Sequence, residues 1–136
     1  MFEPSTDAER IVLAFFSALG AGDFAAARAS MAPDMRWSLM GTGVPGAGDH
    51  VGPDAIFAMI APIRALFEPG SPRMTVRCVT SNEHSVVIGA GGGGRFRDGR
   101  PYANHYAISL DIADGRVAAL REYMDTHYVH SLALEP

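Results

Sequence analysis

The clearest indication of the fold is the stretch PYANHYAISLDIADGRVAALREYMD, from Pro101 to Asp125. It contains two runs of alternating apolar and polar residues, one before and one after Asp114-Gly115. Asp-Gly between alternating runs is typical of a two-residue β-hairpin, because a type I′ turn needs positive φ at both central residues. The stretch therefore predicts two antiparallel strands, Pro101 to Ala113 and Arg116 to about Val129.

Three further strands are expected upstream of this hairpin. Arg73–Thr80 and His84–Arg97 also favour strands, and Asp98-Gly99 supplies another turn signal before Pro101. A short strand, Met35–Met40, carries Trp37, the one tryptophan of the chain.

The first half of the chain predicts three helices. A capping box, Thr6 to Glu9, begins a helix that ends at Gly20. Asp23 can cap a second helix to about Met31, and Pro53 suits the first position of a third helix to about Phe67. Gly41–Gly52, before the third helix, is a loop by composition. Helices followed by an antiparallel meander predict an α+β fold with the helices on one face of the sheet.

Composition narrows the class of protein. The chain has 136 residues, which predicts a single domain over 1–136. Hydrophobic residues make up 48% and charged residues 19%, which suits a chain that buries a core. The net charge of −4 disfavours nucleic acid or an anionic membrane as the main partner. All basic residues are arginine, so Schiff-base and P-loop lysines are excluded.

The cysteine count and the N-terminal stretch predict a cytoplasmic protein. Cys78 is the one cysteine, which excludes an intrachain disulfide and a thiolate zinc cluster. The apolar stretch Ile11–Ala21 is shorter than the roughly 20 residues that span a bilayer. Acidic residues among the first ten do not fit a secretory signal. We expect no membrane association and no bound metal.

The second turn also predicts a register. If Asp114-Gly115 is a two-residue loop, Ala113 lies opposite Arg116, and the next pairs follow by counting outward. These pairs are Ile108–Arg121, Tyr106–Tyr123, Asn104–Asp125 and Tyr102–His127. One sheet face would then carry apolar residues near the turn and, farther away, the polar and aromatic residues Tyr102, Asn104, Tyr106, Arg121, Tyr123, Asp125 and His127. An apolar base with a polar end indicates a pocket for a hydrophobic small molecule.

These residues also carry a family resemblance. DGRVAALREYMD (114–125), GRPYANHY (99–106) and ALGAGD (18–23) resemble SnoaL-like members of the NTF2-like superfamily, which includes polyketide cyclases, ketosteroid isomerases and limonene-epoxide hydrolases. The resemblance implies an NTF2-like (cystatin-like) cone, in which three helices close a strongly curved antiparallel sheet over an apolar pocket. It also implies a homodimer and, in the cyclase-like branch, no cofactor.

The resemblance carries over catalytic residues unevenly. An aspartate near the end of the last strand acts as acid or base in the cyclases and epoxide hydrolases, and Asp125 matches it. The Arg-x-Asp of the epoxide hydrolases has no match in Val86–Ala90. The ketosteroid isomerases use a tyrosine as hydrogen-bond donor and an aspartate as base. The aligned positions here hold Phe15 and Leu39, so that activity is not expected. The cyclase-like pattern therefore survives best.

Asp125 suits proton transfer, because burial in an apolar pocket raises the pKa of a carboxyl towards neutrality. Tyr123, Asn104 and Tyr106 could donate hydrogen bonds to an enolate or phenolate oxygen. Arg121 on the same face would favour the carboxylate of Asp125. A purely structural alternative is that Asp125 only bonds Asn104 or Arg121.

Other positions have weaker signals. Trp37 could line the ligand or only the core, and His50 in the glycine-rich loop could close over the pocket mouth. His105, with Glu122 and Thr126 on the opposite sheet face, fits a dimer interface. Gly89–Gly94 satisfies G-x-G-x-x-G, but a strand and turn follow it instead of a helix, so a bent or bulged strand is expected rather than a nucleotide site.

Two functions therefore stand. The first is a small cofactor-independent isomerase or cyclase that transfers protons on a hydrophobic carbonyl or polyketide-like compound, with Asp125 as acid or base. The second is a non-catalytic dimeric protein that binds an apolar ligand or serves as an accessory protein. A homodimer through the outer sheet face is expected in both.

Overall fold

The computed structural model describes residues 2–134 as four helices and one sheet of six strands. The elements in chain order are α1 (Asp7–Gly20), α2 (Phe24–Ala29), β1 (Met31–Leu39), β2 (Gly48–Val51), α3 (Pro53–Ala65), β3 (Arg73–Ser81), β4 (Ser85–Arg95), β5 (Pro101–Ala113), β6 (Arg116–Met124) and α4 (Thr126–Ser131). Within the described part of the chain, no helix is long and apolar enough to cross a membrane.

The sheet is curved and unclosed, with the strand order β2-β1-β6-β5-β4-β3. Its neighbouring strands are antiparallel except β1 and β6, which pair in parallel, so the sheet is mixed where an antiparallel one was expected. The core lies between the inner face of the sheet and the helices, with α1 contacting β3, β4 and β6 and α3 contacting β1 and β2. The predicted α+β class is confirmed.

The first helix begins at the predicted capping box. The Thr6 hydroxyl accepts the backbone N–H of Glu9 at 3.1 Å. The Glu9 carboxylate reaches back to the N–H of Ser5 at 3.4 Å and also accepts the hydroxyl of Ser81 at 2.6 Å. The hydrogen bond from Ser81 holds the pKa of Glu9 below its usual value. Glu9 thus ties the start of α1 to the end of β3.

Three differences from the sequence prediction exceed two residues. β1 starts at Met31 instead of Met35, because α2 ends at Ala29. The predicted loop before α3 contains the edge strand β2. The last strand ends at Met124, because the Asp125 carboxylate accepts the N–H of Tyr128 at 3.0 Å and so begins α4.

The register predicted for the last hairpin is wrong beyond its first two pairs. Ala113 lies opposite Arg116 and Ile112 opposite Val117, as expected. Asp111 then pairs with Ala119, which leaves Ala118 as an extra residue in β6. Because side chains alternate between faces, this β-bulge turns every later residue of β6 to the face opposite to the predicted one.

The glycine-rich run lies inside β4, in unbroken register with β5, and the next residues form a turn. The expected bulge lies instead on the neighbouring β3, between Val76 and Cys78. Neighbouring side chains occupy the space that the glycines leave. A Cβ at Gly92 would lie 2.6 Å from Cε2 of Tyr106, and one at Gly94 would lie 2.5 Å from Oγ of Ser71. The run therefore serves close packing.

Candidate functional site

Glu122 is a carboxyl group set into the inner face of the sheet. It pairs with Ile108 on β5 and with Leu39 on β1, and both neighbours are buried. Nε1 of Trp37 donates a hydrogen bond to its Oε1 at 3.1 Å. Burial raises the pKa of Glu122 from 4.5 to about 7, against the opposing effect of the Trp37 N–H. The carboxyl can therefore exist in both protonation states near neutral pH.

Two tyrosines from β5 share this face. The hydroxyls of Tyr102 and Tyr106 are hydrogen-bonded to each other. Burial raises the pKa of both phenols, and the negative charge of Glu122 raises both further. Tyr102 and Tyr106 are therefore neutral hydrogen-bond donors at any physiological pH.

Asn104 lies between the two tyrosines in sequence and is almost fully buried, with 3% of its surface exposed. Its Nδ2 donates to the Tyr102 hydroxyl at 3.0 Å. Its Oδ1 accepts two backbone N–H groups, from His105 at 2.7 Å and from Asp125 at 3.2 Å. Donor and acceptor ends of the amide are thus both occupied.

Solvent reaches the inner face at its polar end. Tyr106, Glu122 and Met124 point inward yet keep part of their surface accessible, whereas Ile108 and Leu110 on the same face are buried. Helix α4 packs beside this end: the Tyr128 hydroxyl accepts the N–H of Ala103 at 3.1 Å. Tyr106, Glu122 and Met124 are therefore more accessible to solvent than the apolar residues Ile108 and Leu110.

Four residues predicted from sequence do share the inner face: Trp37, Tyr102, Asn104 and Tyr106. The expected arrangement of an apolar base and a polar, aromatic end is therefore present on β5. Whether these side chains bind a ligand stays a prediction.

Arg121 and Tyr123 lie on the outer face, contrary to the predicted register, because the bulge at Ala118 reverses their direction. Arg121 binds both carboxylate oxygens of Asp111, at 2.7 and 3.2 Å, and the Ser109 hydroxyl at 2.9 Å. Tyr123 is 47% exposed. Neither side chain lies beside Glu122.

Asp125 does not lie in the sheet opposite the Asn104 side chain, as the predicted register required. It is exposed, and its carboxylate caps α4. It contacts Asn104 through its backbone N–H instead. The predicted acid or base role of Asp125 thus loses the buried position on which it was argued.

Three histidines considered from the sequence, His50, His105 and His127, lie in different parts of the structure. His50 pairs with Trp37 from the edge strand β2, and its Nε2 is 2.7 Å from the carbonyl oxygen of Gly46. His105 lies on the outer face as expected, with Nδ1 3.2 Å from Nη1 of Arg77. His127, expected in a strand, lies in α4.

The prediction that Glu122 lies on the outer face with His105 is wrong, because the bulge at Ala118 breaks the register that a two-residue turn alone would set. The sequence does contain a signal for the bulge. Val117 and Leu120 are both apolar but three residues apart, which breaks strict alternation. An alternation restarted at Leu120 places Glu122 and Met124 on the inner face.

A separate groove lies on another surface of the molecule. A groove of about 680 Å³ runs along α2, the start of β1 and the start of α3. Its charged side chains include Arg28 and Asp54, which pair with each other. Among residues 2–134, no three histidine, cysteine or acidic side chains converge as metal ligands would. The inner face is the candidate site, because a carboxyl of raised pKa and two neutral phenols share it.

Comparison with known proteins agrees with this fold. Residues 12–120 match the model of the SnoaL-like domain, and the chain belongs to this family. No curated protein sequence matches the chain significantly.

Solved structures of similar fold span almost the whole chain. An NTF2-like protein from Burkholderia xenovorans LB400 is 24% identical, with a TM-score of 0.78 over 95% of this chain and 96% of that one. A candidate SnoaL-like polyketide cyclase from Jannaschia sp. CCS1 is 21% identical, with a TM-score of 0.81 over 100% and 99%. TerC, co-crystallised with polyporic acid, is 20% identical, with a TM-score of 0.81 over 93% and 98%.

Proposed function

We propose that this protein is a small isomerase or cyclase that transfers protons on a hydrophobic carbonyl compound, with Glu122 as acid and base. The observation that carries the proposal is the inward-facing Glu122 carboxyl, whose pKa burial raises to about 7. General acid–base catalysis is most efficient when the pKa of the catalytic group lies near the working pH.

The proposed step begins with ionised Glu122, which takes a proton from the carbon next to a substrate carbonyl. The electron pair of the broken C–H bond forms an enolate, whose oxygen accepts a hydrogen bond from a neutral phenol. In an isomerisation, Glu122 returns the proton to a different carbon. In a cyclisation, the enolate carbon attacks a second carbonyl carbon, and the proton goes to the alkoxide oxygen. Neither route needs an oxidant or a cofactor.

The chemical class of the ligand follows from the surroundings of Glu122. Leu39, Ile108 and Met124 supply apolar contact, and the tyrosines supply a few polar groups, a usual composition for small-molecule sites. The co-crystal of one protein of this fold with polyporic acid, and the cyclase name of another, support a small organic ligand.

The test is hydrogen exchange on enolisable aromatic ketones in deuterated buffer, followed by NMR. Wild type should exchange these protons faster than buffer alone does. Glu122→Gln should catalyse exchange at least about 100-fold more slowly than wild type. Asp125→Asn keeps a good helix cap and provides the matched comparison, because it removes the other proposed carboxyl. Full activity of Glu122→Gln contradicts the proposal. If only Asp125→Asn loses activity, Asp125 is the acid or base instead of Glu122. Binding without exchange by any ketone favours the alternative of a non-catalytic binding protein.

We also propose a homodimer through the outer face of the sheet. Val87 and Tyr123 lie on this face on either side of β5, opposite Ser109 and Ala107, and are 46% and 47% exposed, so a second copy could cover apolar surface here. Light scattering of the wild-type protein should give twice the mass of one chain. The double variant Val87→Glu, Tyr123→Glu should give the mass of a single chain. A wild-type monomer at micromolar concentration contradicts this proposal.

A further inference from the structure

Asn104, Tyr102 and Tyr106 form a chain of hydrogen bonds with one end in the protein backbone and the other end at Tyr106, which is partly accessible to solvent. The orientation of the Asn104 amide is settled by its partners. Oδ1 accepts the N–H groups of His105 and Asp125, and a backbone N–H can only donate. The other end of the amide is therefore the NH₂ group, which donates to the Tyr102 oxygen.

The direction of the next bond follows from satisfying the Tyr102 hydroxyl. Tyr102 is 6% exposed, and among residues 2–134 its hydroxyl has only Asn104 and Tyr106 as hydrogen-bond partners. If Tyr106 donated to Tyr102, the Tyr102 oxygen would accept twice and its own buried hydrogen would have no acceptor. An unsatisfied buried donor is costly. Tyr102 therefore donates to Tyr106.

The hydrogen of the Tyr106 hydroxyl is then the free end of the chain. Tyr106 is only partly buried, so this hydrogen can meet water or a ligand. The Tyr106 ring also packs on one side against Gly92, where a Cβ would be 2.6 Å from Cε2, and this contact limits the movement of the ring. A donor that is already oriented costs less entropy on binding than a freely rotating hydroxyl.

We infer that Asn104 is a positioning residue that makes Tyr106 a dedicated hydrogen-bond donor, so that the site selects ligands with an acceptor oxygen at this point. The selected ligands would be ketones, quinones and enolates. Hydrocarbons of the same shape, which have no acceptor oxygen, would bind more weakly. The inference rests on the proposed function in one respect, since it concerns the same inner site. It assigns Asn104 no contact with the ligand.

The experiment compares binding of acetophenone and ethylbenzene, which have similar shape but differ in the acceptor oxygen. Wild type should prefer acetophenone, and Tyr106→Phe should lower this preference about 2- to 10-fold, the range for one neutral hydrogen bond. Asn104→Ser should lower the preference by less, because Tyr102 and Tyr106 can then reverse their bond. Tyr123→Phe, the same chemical change on the outer face, is the control and should leave the preference unchanged.

A double-mutant cycle separates positioning from simple loss of structure. If Asn104 acts through Tyr106, Asn104→Ser should have no further effect on the preference in a Tyr106→Phe background. A merely structural role would weaken both probes equally in both backgrounds. Tyr102→Phe interrupts the same chain but keeps the ring packing against Phe67 and Phe96, and it replaces Asn104→Ser if that variant does not fold.

The carbonyl-carbon NMR shift of bound acetophenone gives a readout that does not depend on affinity. The shift should report a hydrogen bond in wild type and lose it in Tyr106→Phe. The inference is overturned if wild type binds neither probe, if it binds both equally, or if Asn104→Ser and Tyr106→Phe act additively. Since no turnover is involved, loss of proton exchange with an intact binding preference would contradict the proposed function alone.

Discussion

At the scale of single residues, the central feature is the hydrogen bond from Trp37 to Glu122. The indole N–H stabilises the ionised carboxyl and therefore opposes the rise in pKa that burial causes. The balance between these two effects sets the carboxyl near neutrality, where it can give and take a proton.

This balance predicts the effect of Trp37→Phe. The variant removes the N–H but keeps an aromatic ring, so the pKa of Glu122 should rise, by on the order of one unit. As a base, Glu122 acts in its ionised form, so kcat/KM for ketone exchange should increase with pH around 7 in wild type. The midpoint should move to higher pH in Trp37→Phe. An unchanged midpoint would mean that Glu122 does not control the rate.

The residue scale also shows where sequence reasoning succeeds and fails. The inward positions of Tyr102, Asn104 and Tyr106 could be predicted, because β5 alternates without interruption and burial follows alternation. Glu122 could not be predicted from a turn alone, because one extra residue, Ala118, reverses the faces of everything that follows it. The predicted end of β6 was also wrong. The hydrogen bond from the Tyr128 N–H to the Asp125 carboxylate starts α4 and so ends the pairing of the strand.

At the scale of elements, the packing of β4 against β5 depends on the missing side chain of Gly92. Gly92→Ala places a methyl group 2.6 Å from Cε2 of Tyr106, so the ring must move. Urea unfolding should show a loss of about 1–3 kcal/mol, the usual cost of overpacking. Gly20→Ala is the matched control, because nothing lies within 4 Å of its Cβ position and the residue is helical. Equal stability of the two variants would contradict the packing role of Gly92.

The element α4 gives a second prediction, on the role of Asp125 as a cap. Asp125→Ala should lower the free energy of unfolding by about 0.5–2 kcal/mol, whereas Asp125→Asn should change it little. Urea unfolding of both variants measures the difference. If Asp125→Ala were as stable as wild type, the capping bond to Tyr128 would contribute nothing, and another role for the carboxylate would have to be considered.

At the scale of the whole molecule, the raised pKa of Glu122 links folding to pH. Between about 4.5 and about 7, the carboxyl ionises in the unfolded chain but stays protonated in the folded one. The unfolded state then binds fewer protons, so the free energy of unfolding contributed by this group falls as pH rises through that window. Above a pH of about 7, Glu122 is ionised in both the folded and the unfolded state. The stability that its protonated form contributed is then fully lost.

Glu122→Gln should remove this part of the pH dependence. The expected difference between wild type and variant is on the order of 1–3 kcal/mol over the window, with wild type losing stability as the pH rises. Denaturant unfolding at several pH values measures it, and Glu83→Gln, an exposed carboxyl in the turn between β3 and β4, serves as control. Parallel curves for wild type and Glu122→Gln would show that Glu122 has an ordinary pKa.

The molecule as a whole places one ionisable carboxyl, two phenols and an amide together on an otherwise apolar inner face. The SnoaL-like family membership explains the architecture around these groups, and the bulge in β6 explains how the carboxyl comes to face inward. The proposed function therefore depends on a single irregularity in an otherwise regular hairpin.

The most direct measurement is a titration of Glu122 in the purified protein by carboxyl-carbon NMR, which gives the pKa of this group. The Glu122→Gln variant assigns the signal. A value near 7 is expected, because burial outweighs the hydrogen bond from Trp37. A value at or below the usual 4.5 would contradict the account, since the carboxyl would then be a permanently ionised group and a poor proton carrier at neutral pH.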